Sequence, residues 1–181
     1  MDEKSLVKIS KYLSKHLRHQ PERLDLSLES GGWVNIEDLL AACRRNNFSI
    51  SPDELTEVVE RNDKRRFSFD ETGTKIRANQ GHSVEIDLQL KPSAPPDVLF
   101  HGTNEKSVSV ILKHGLLKMA RHHVHLSTDE KTARSVGARR GKPVIFAVDA
   151  AAMRGEDYEF FVSANGVWLV ETVPPKFLRV L

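Results

Sequence analysis

At 181 residues the chain is long enough for one large or two small domains, each closing a modest core. Its 39% hydrophobic and 29% charged residues exclude disordered and fibrous classes, and no apolar run approaches the ~18 residues of a membrane span. A formal net charge of +2 does not by itself demand nucleic acid, so the placement of the cations matters more than their sum. Met1-Asp2-Glu3-Lys4 leads into an amphipathic pattern and not an apolar leader, so a cytoplasmic location is expected, with no membrane partner.

Leu6, Ile9, Leu13 and Leu17 recur at steps of three and four, which predicts a first helix ending near Arg18-His19 before Pro21 forbids its continuation. Lys4, Lys8, Lys11, Lys15 and Arg18 form a basic stripe on the same helix, readable either as a solvated face or as a surface that tracks phosphates. After Gly31-Gly32-Trp33-Val34, Asn35 and Asp38 start a second helix carrying Ile36, Leu39, Leu40 and Cys43. At helical spacing from those apolar residues, the single cysteine reads as a buried core thiol. Ser51 as cap, Pro52 at the first turn and Glu54 open a third helix with Leu55, Val58 and Val59 on one face. Phe67 and Phe69 alternate with polar residues, Glu71 to Thr74 turns, and Lys75-Ile76-Arg77 returns as the second strand of a hairpin. Three short helices and a hairpin suggest a winged-helix unit. A strand is further expected over Val84 to Leu88.

Lys91-Pro92-Ser93-Ala94-Pro95-Pro96 breaks both periodicities, which places a boundary between domains at 1–91 and 97–181. Beyond it, Val98–Phe100, Val124–Leu126, Val144–Val148, Phe160–Val162, Val167–Val170 and Phe177–Leu181 are short apolar runs suited to strands. One helix carries Val108, Ile111 and Leu112 and stops at Gly115; another follows a Ser127-x-x-Glu130 capping box and ends near Gly137. The fold class is therefore α+β.

Several constellations could carry chemistry. His101-Gly102-Thr103 is read at the end of a strand, with a glycine that lets a ligand approach backbone amides. His123 and His125 share one strand face, with His122 and His114 nearby, yet no Cys, Asp or Glu stands at ligand spacing beside them, so no metal is expected. There is no phosphate-cradling Walker loop, dinucleotide fingerprint or nucleophile elbow, which disfavours triphosphate hydrolysis, a Rossmann dehydrogenase and an α/β-hydrolase. Arg18-His19, Lys64-Arg65-Arg66 and Ala120-Arg121-His122 serve either solubility or, if folding gathers them, a single phosphate held by bidentate guanidinium contacts.

Taken together, Leu17-Arg18-His19, Arg66-Phe67, Ile76-Arg77-Ala78-Asn79-Gln80-Gly81-His82-Ser83, His101-Gly102-Thr103, His125-Leu126-Ser127 and Asn165-Gly166-Val167-Trp168-Leu169 resemble the NAD-dependent RNA 2′-phosphotransferase family, in its order and approximate spacing. The resemblance implies a winged-helix lobe followed by an ADP-ribosyltransferase-like lobe. It implies a quartet of Arg18, His19, Arg66 and Arg121 at the phosphate; Arg66 is chosen over the adjoining Arg65 because it directly precedes the phenylalanine. It also implies an NAD⁺ cleft on His101, Gly102, Thr103, His125 and Ser127, with Val167 opposite, and a place for Lys64, Gln80, Gly81 and His82 near the RNA phosphate where the lobes meet. Many protein-modifying ADP-ribosyltransferases carry a glutamate where this chain has Val167, and the apolar residue suits a different acceptor or plain core.

The reaction so implied has two steps and no metal. An internal RNA 2′-phosphate attacks C1″ of the nicotinamide ribose and expels nicotinamide. The ribose 2″-hydroxyl of the ADP-ribosylated phosphate then attacks phosphorus, releasing 2′-hydroxyl RNA and ADP-ribose 1″,2″-cyclic phosphate. The partner is RNA, tRNA among the candidates, and a monomer is expected. Two other readings remain open: an ADP-ribosyltransferase acting on another phosphate, such as a nucleic-acid end, and a winged-helix RNA binder with a degenerate second lobe.

Overall fold

The computed structural model describes residues 1–61 and 64–181, with the main chain alone at Arg140. Its contacts divide the chain into two units, Met1–Gln89 and Leu90–Leu181. No helix among the described residues is long and apolar enough to cross a membrane.

Unit 1 begins with α1, Glu3–Arg18, whose first turn is capped by Asp2 Oδ1 accepting the Ser5 N–H at 2.7 Å. The stripe read in the sequence is its buried face: Leu13 and Leu17 are wholly inaccessible, and Leu6 and Ile9 nearly so. A short strand β1, Trp33–Asn35, runs into α2, Ile36–Arg45, where Asn35 Oδ1 accepts the N–H groups of Glu37 and Asp38. Helix α3, Pro52–Glu60, opens with a complete capping box between Ser51 and Glu54. The hairpin follows as β2, Phe67–Phe69, and β3, Lys75–Ala78, in an antiparallel sheet of order β1-β3-β2. Ile76 faces Val34 on one side and Phe69 on the other, which turns the sheet's apolar positions onto the helices. Cys43 is fully buried in this core, and burial pushes its thiol up to about 11.

The expected strand over Val84–Leu88 does not form. Its apolar-polar alternation finds no neighbour to pair with. The amides of Ser83 and Val84 donate instead to Arg18 O at the end of α1, and Asp87 O accepts from Gly31, so these hydrogen bonds serve a helix end and a loop.

Unit 2 contains β4 (Val98–Asn104), α4 (Val108–His114), β5 (Leu116–Leu117), β6 (Val124–Leu126), α5 (Glu130–Gly137), β7 (Pro143–Asp149), α6 (Ala150–Gly155), β8 (Phe160–Val162), β9 (Trp168–Val170), β10 (Thr172–Val173) and β11 (Leu178–Val180). Its sheets are antiparallel, of order β11-β7-β4, β6-β9-β8 and β10-β5. The first two are stitched together where Phe100 and Ser127 exchange both main-chain hydrogen bonds at 2.8 Å. Leu99, Phe146, Val148, Met153, Phe160 and Val170 form the core between the layers.

Two expectations need correction here. Asp129, not Ser127, caps α5, accepting the Thr132 N–H at 2.7 Å; Ser127 is held two residues earlier by its bridge to Phe100. His101-Gly102-Thr103 lies inside β4 and not at its end, paired with Phe146, Ile145 and Val144.

Helix α5 packs on β4 through two glycines. A Cβ on Gly102 would collide with the Ala133 carbonyl, and one on Gly137 would sit 2.5 Å from Thr103 O. Because main chain meets main chain there, neither partner can give way by changing a rotamer. Gly137→Ala is expected to destabilise unit 2 by about 1–3 kcal/mol or more, read as a lowered denaturation midpoint. Gly155→Ala, with nothing within 4 Å of its added carbon, serves as the control. Equal midpoints for the two variants would contradict the packing argument.

Candidate functional site

In unit 1 the C-terminus of α1, the start of β2 and the segment 79–83 come together. Arg18 O accepts Ser83 N–H at 2.9 Å, and Arg66 O accepts Asn79 N–H at 2.9 Å and faces Arg18 Nη2 at 3.5 Å. Half-buried Arg66 donates from Nη1 to Ser10 Oγ at 3.0 Å, while exposed His19 places Nδ1 2.8 Å from Ser83 Oγ. Arg18, His19 and Arg66 are therefore brought together. Arg18 and His19 also stand at the negative end of the α1 dipole, which favours cationic groups there.

Arg65 adopts φ 39, a left-handed conformation that costs a non-glycine residue roughly 1–2 kcal/mol. Asn79 holds it, with Nδ2 donating to Arg65 O at 2.7 Å and Oδ1 accepting from Ser68 Oγ at 2.8 Å. The twist separates the neighbours: Arg65 is exposed and Arg66 turns toward α1. Lys64 is exposed on the approach to β2.

Gln80, Gly81 and His82 lie in the following turn. Gly81 has φ 88, a value glycine adopts without strain. His82 is buried, its ring against Gly32, where a Cβ would lie 3.4 Å from Nε2. Gln80 Oε1 is buried with no hydrogen-bond donor among the described residues.

In unit 2, His101 projects from β4 and His125 from β6. A carbonyl only accepts, so the 3.1 Å contact between His101 Nδ1 and His125 O puts the proton on Nδ1 and leaves Nε2 as an acceptor. Arg121 Nη1 only donates, so its 3.0 Å contact makes His125 Nδ1 the acceptor. Burial is the main cause holding His101 below the ordinary histidine value; the nearby Arg121 charge acts the same way, and the bond to His125 O opposes both. Thr103 and Ser127 are half-buried. Val167 stands in the turn just before β9, not on the strand, its N–H donating to Ser163 Oγ at 3.1 Å. Gly166, at φ 76, allows that tight turn. Glu171 is exposed and paired with Lys118 at 3.0 Å.

Sequence alone does not mark Ser10 or Asn79 as site residues, yet with Ser83, which belongs to the block Gln80-Gly81-His82-Ser83, they anchor Arg66, Arg65 and His19. Ser10 is buried beside Leu6, Ile9 and Leu13, and its role comes from its contact with Arg66.

The sequence matches the model of the family described as "RNA 2'-phosphotransferase, Tpt1 / KptA family" over residues 4–172. It is similar to a protein of Trichormus variabilis, 62% identical over 181 residues and covering 100% of both chains. It is likewise similar to one of Nostoc punctiforme, 60% identical over 179 residues with 99% of each chain covered, and to one of Herpetosiphon aurantiacus, 57% identical over 180 residues, again 99% of each. All three are named "Probable RNA 2'-phosphotransferase".

The His101 environment has a consequence for pH. A folded pKa below the unfolded value means that the unfolded chain binds more protons. The contribution of His101 is thus fully present above about 6.5 and is lost as pH falls from there through the folded pKa. The His101 ring is expected to titrate below an exposed histidine in an NMR titration, and the unfolding midpoint to fall between about pH 7 and pH 5 less steeply in His101→Gln. A His101 ring titrating at or above the ordinary value would refute the assigned environment.

Proposed function

Because the chain belongs to the RNA 2′-phosphotransferase, Tpt1 / KptA family, we propose that it removes an internal 2′-phosphate from RNA and transfers it to NAD⁺. The observation that carries this reading is the match along nearly the whole chain, to the family over residues 4–172 and to a relative 62% identical from end to end. We read unit 1 as a winged-helix lobe, supported by three helices and a β1-β3-β2 antiparallel sheet, and unit 2 as an ADP-ribosyltransferase-like lobe.

Arg18, Arg66 and Arg121 are assigned to the oxygens of the RNA phosphate. That group is already an anion and needs no general base to become a nucleophile, so cations that hold and orient it are chemically sufficient. NAD⁺ supplies an electrophilic ribose carbon and nicotinamide as leaving group. The donor set of unit 2 fits it: His101 offers Nε2 as an acceptor, and the half-buried hydroxyls of Thr103 and Ser127 can meet ribose hydroxyls. Gly102 and Val167 belong to the same assignment, and His125 orients Arg121.

In the second step the ribose 2″-oxygen bonds to phosphorus, the bond from phosphorus to the RNA 2′-oxygen breaks, and the 2″-proton goes to that oxygen. His19 is assigned to phosphate contact and to carrying that proton. Lys64, Gln80, Gly81 and His82 are assigned to the surroundings of the RNA phosphate.

The test incubates the protein with a short RNA bearing one internal 2′-phosphate, with and without NAD⁺ and with a chelator. Nicotinamide, ADP-ribose cyclic phosphate and 2′-hydroxyl RNA are expected only with NAD⁺. A persisting ADP-ribosylated RNA would favour transfer to another phosphate acceptor, and absence of turnover would overturn the proposal. Arg121→Ala is expected to lower kcat about 10²–10³-fold while weakening RNA binding far less; comparable losses in both would remove Arg121 from the chemistry.

A further inference from the structure

The exposed face of α1 holds a feature that the phosphotransferase reading does not use. Lys4, Lys8, Lys11 and Lys15 are all exposed. At 100° per residue they fall within about 40° of one line along the helix, opposite the buried Leu6, Ile9, Leu13 and Leu17. Lys4 and Lys15 are about 16 Å apart along the axis, and the line continues to Arg18 and His19.

Among the described residues these lysines form no ion pair with an acid. The ion pairs of the described residues involve other groups throughout the chain, and Lys8 Nζ instead lies 5.5 Å from the Phe48 ring centroid. The only acid on α1 is Glu3, in its first turn. The helix therefore carries five Lys or Arg residues against one acid in a chain whose formal net charge is +2. A solvated helix face normally alternates signs, because like charges three or four residues apart repel. Here every step along the stripe is such a like-charge pair. The arrangement opposes helix stability, and a bound polyanion would offset the repulsion by displacing condensed counterions.

We propose that α1 is an RNA-backbone track, on which the strand flanking the reactive nucleotide lies along Lys4, Lys8, Lys11 and Lys15, about one phosphate to each lysine. The inference rests on the RNA reading above but adds to it: the enzyme grips several phosphates beyond the one it removes, on one side only, and without base readout. Contacts to phosphates carry no sequence information and a strong salt dependence.

The test measures binding of a 2′-hydroxyl RNA of about ten nucleotides by fluorescence anisotropy across a salt series, which requires neither NAD⁺ nor turnover. The full chain is compared with a variant carrying Lys→Gln at positions 4, 8, 11 and 15. A control carries Lys→Gln at 91, 106, 113 and 131, exposed lysines of unit 2, and so has the same change in net charge. The α1 variant is expected to bind about ten- to a hundred-fold more weakly at low salt, and to lose about 2 to 3 units of the slope of log affinity against log salt. It is also expected to melt no lower than the parent when free of RNA, since the repulsion is relieved. Equal slopes for the α1 variant and the parent, or an equal loss in the control, would overturn the track, as would failure of the parent to bind this RNA. If the track binds and 2′-phosphates are still not removed, the phosphotransferase proposal alone fails.

Discussion

Main-chain hydrogen bonds tie three distant stretches of unit 1 together, and every side chain of the cationic cluster takes its position from them. The carbonyl of Arg18 is one of the last of α1, and a helix end leaves such groups without partners of its own. Ser83 and Val84 supply the amides. Arg66 O takes the Asn79 amide in the same way, so the residues that carry charge are also those whose backbones are fixed. These main-chain bonds, with the contacts of Arg18 Nη2 to Arg66 O and Arg66 Nη1 to Ser10 Oγ, let Arg18 and Arg66 stand close together. The strained turn at Arg65 belongs to the same device: Asn79 holds its carbonyl, and the adjacent arginines part as a result.

Unit 2 reaches a comparable rigidity by another route. The glycines at 102 and 137 let the backbone of α5 lie directly on β4, while Phe100 and Ser127 join β4 to the β6 layer. His101 and His125 project from the two strands so joined, and the hydrogen bonds at each Nδ1 assign them opposite neutral tautomers. Such a pair can present one acceptor and one donor nitrogen without burying a net charge, which a low-dielectric site would penalise. The missing side chain of Gly102 is required by the packing of α5 on β4, a demand that sequence alone does not reveal.

Features governed by local rules were legible in the sequence. The caps at Asn35 and Ser51 and the apolar face of α1 follow from neighbours within four residues, and they fold as that chemistry dictates. At α5 two candidate caps competed, and Asp129 prevailed because Ser127 is committed to a tertiary bridge. The two-residue strands β5 and β10 are too short to show any period, α6 is a single short helix behind a strand, and β4 continues through polar His101–Asn104, where alternation gives no sign of a strand. Ser10 and Ser83 acquire their significance only from partners 56 and 64 residues away, a distance over which no local pattern reports.

The two ends of α1 place their cations under different physical conditions. At the C-terminus, Arg18 and His19 are favoured by the helix dipole, and main-chain ties hold the segment that carries them. At the N-terminus the dipole opposes Lys4, and Asp2 and Glu3 nearby relieve it. A helix selected for stability alone would bring acids to its first turns and alternate them with the lysines along its outer face. α1 does the first and omits the second, so the composition of that outer face is set by something outside the helix. A polyanion running the length of α1 toward Arg18 is the partner whose charge spacing answers that omission.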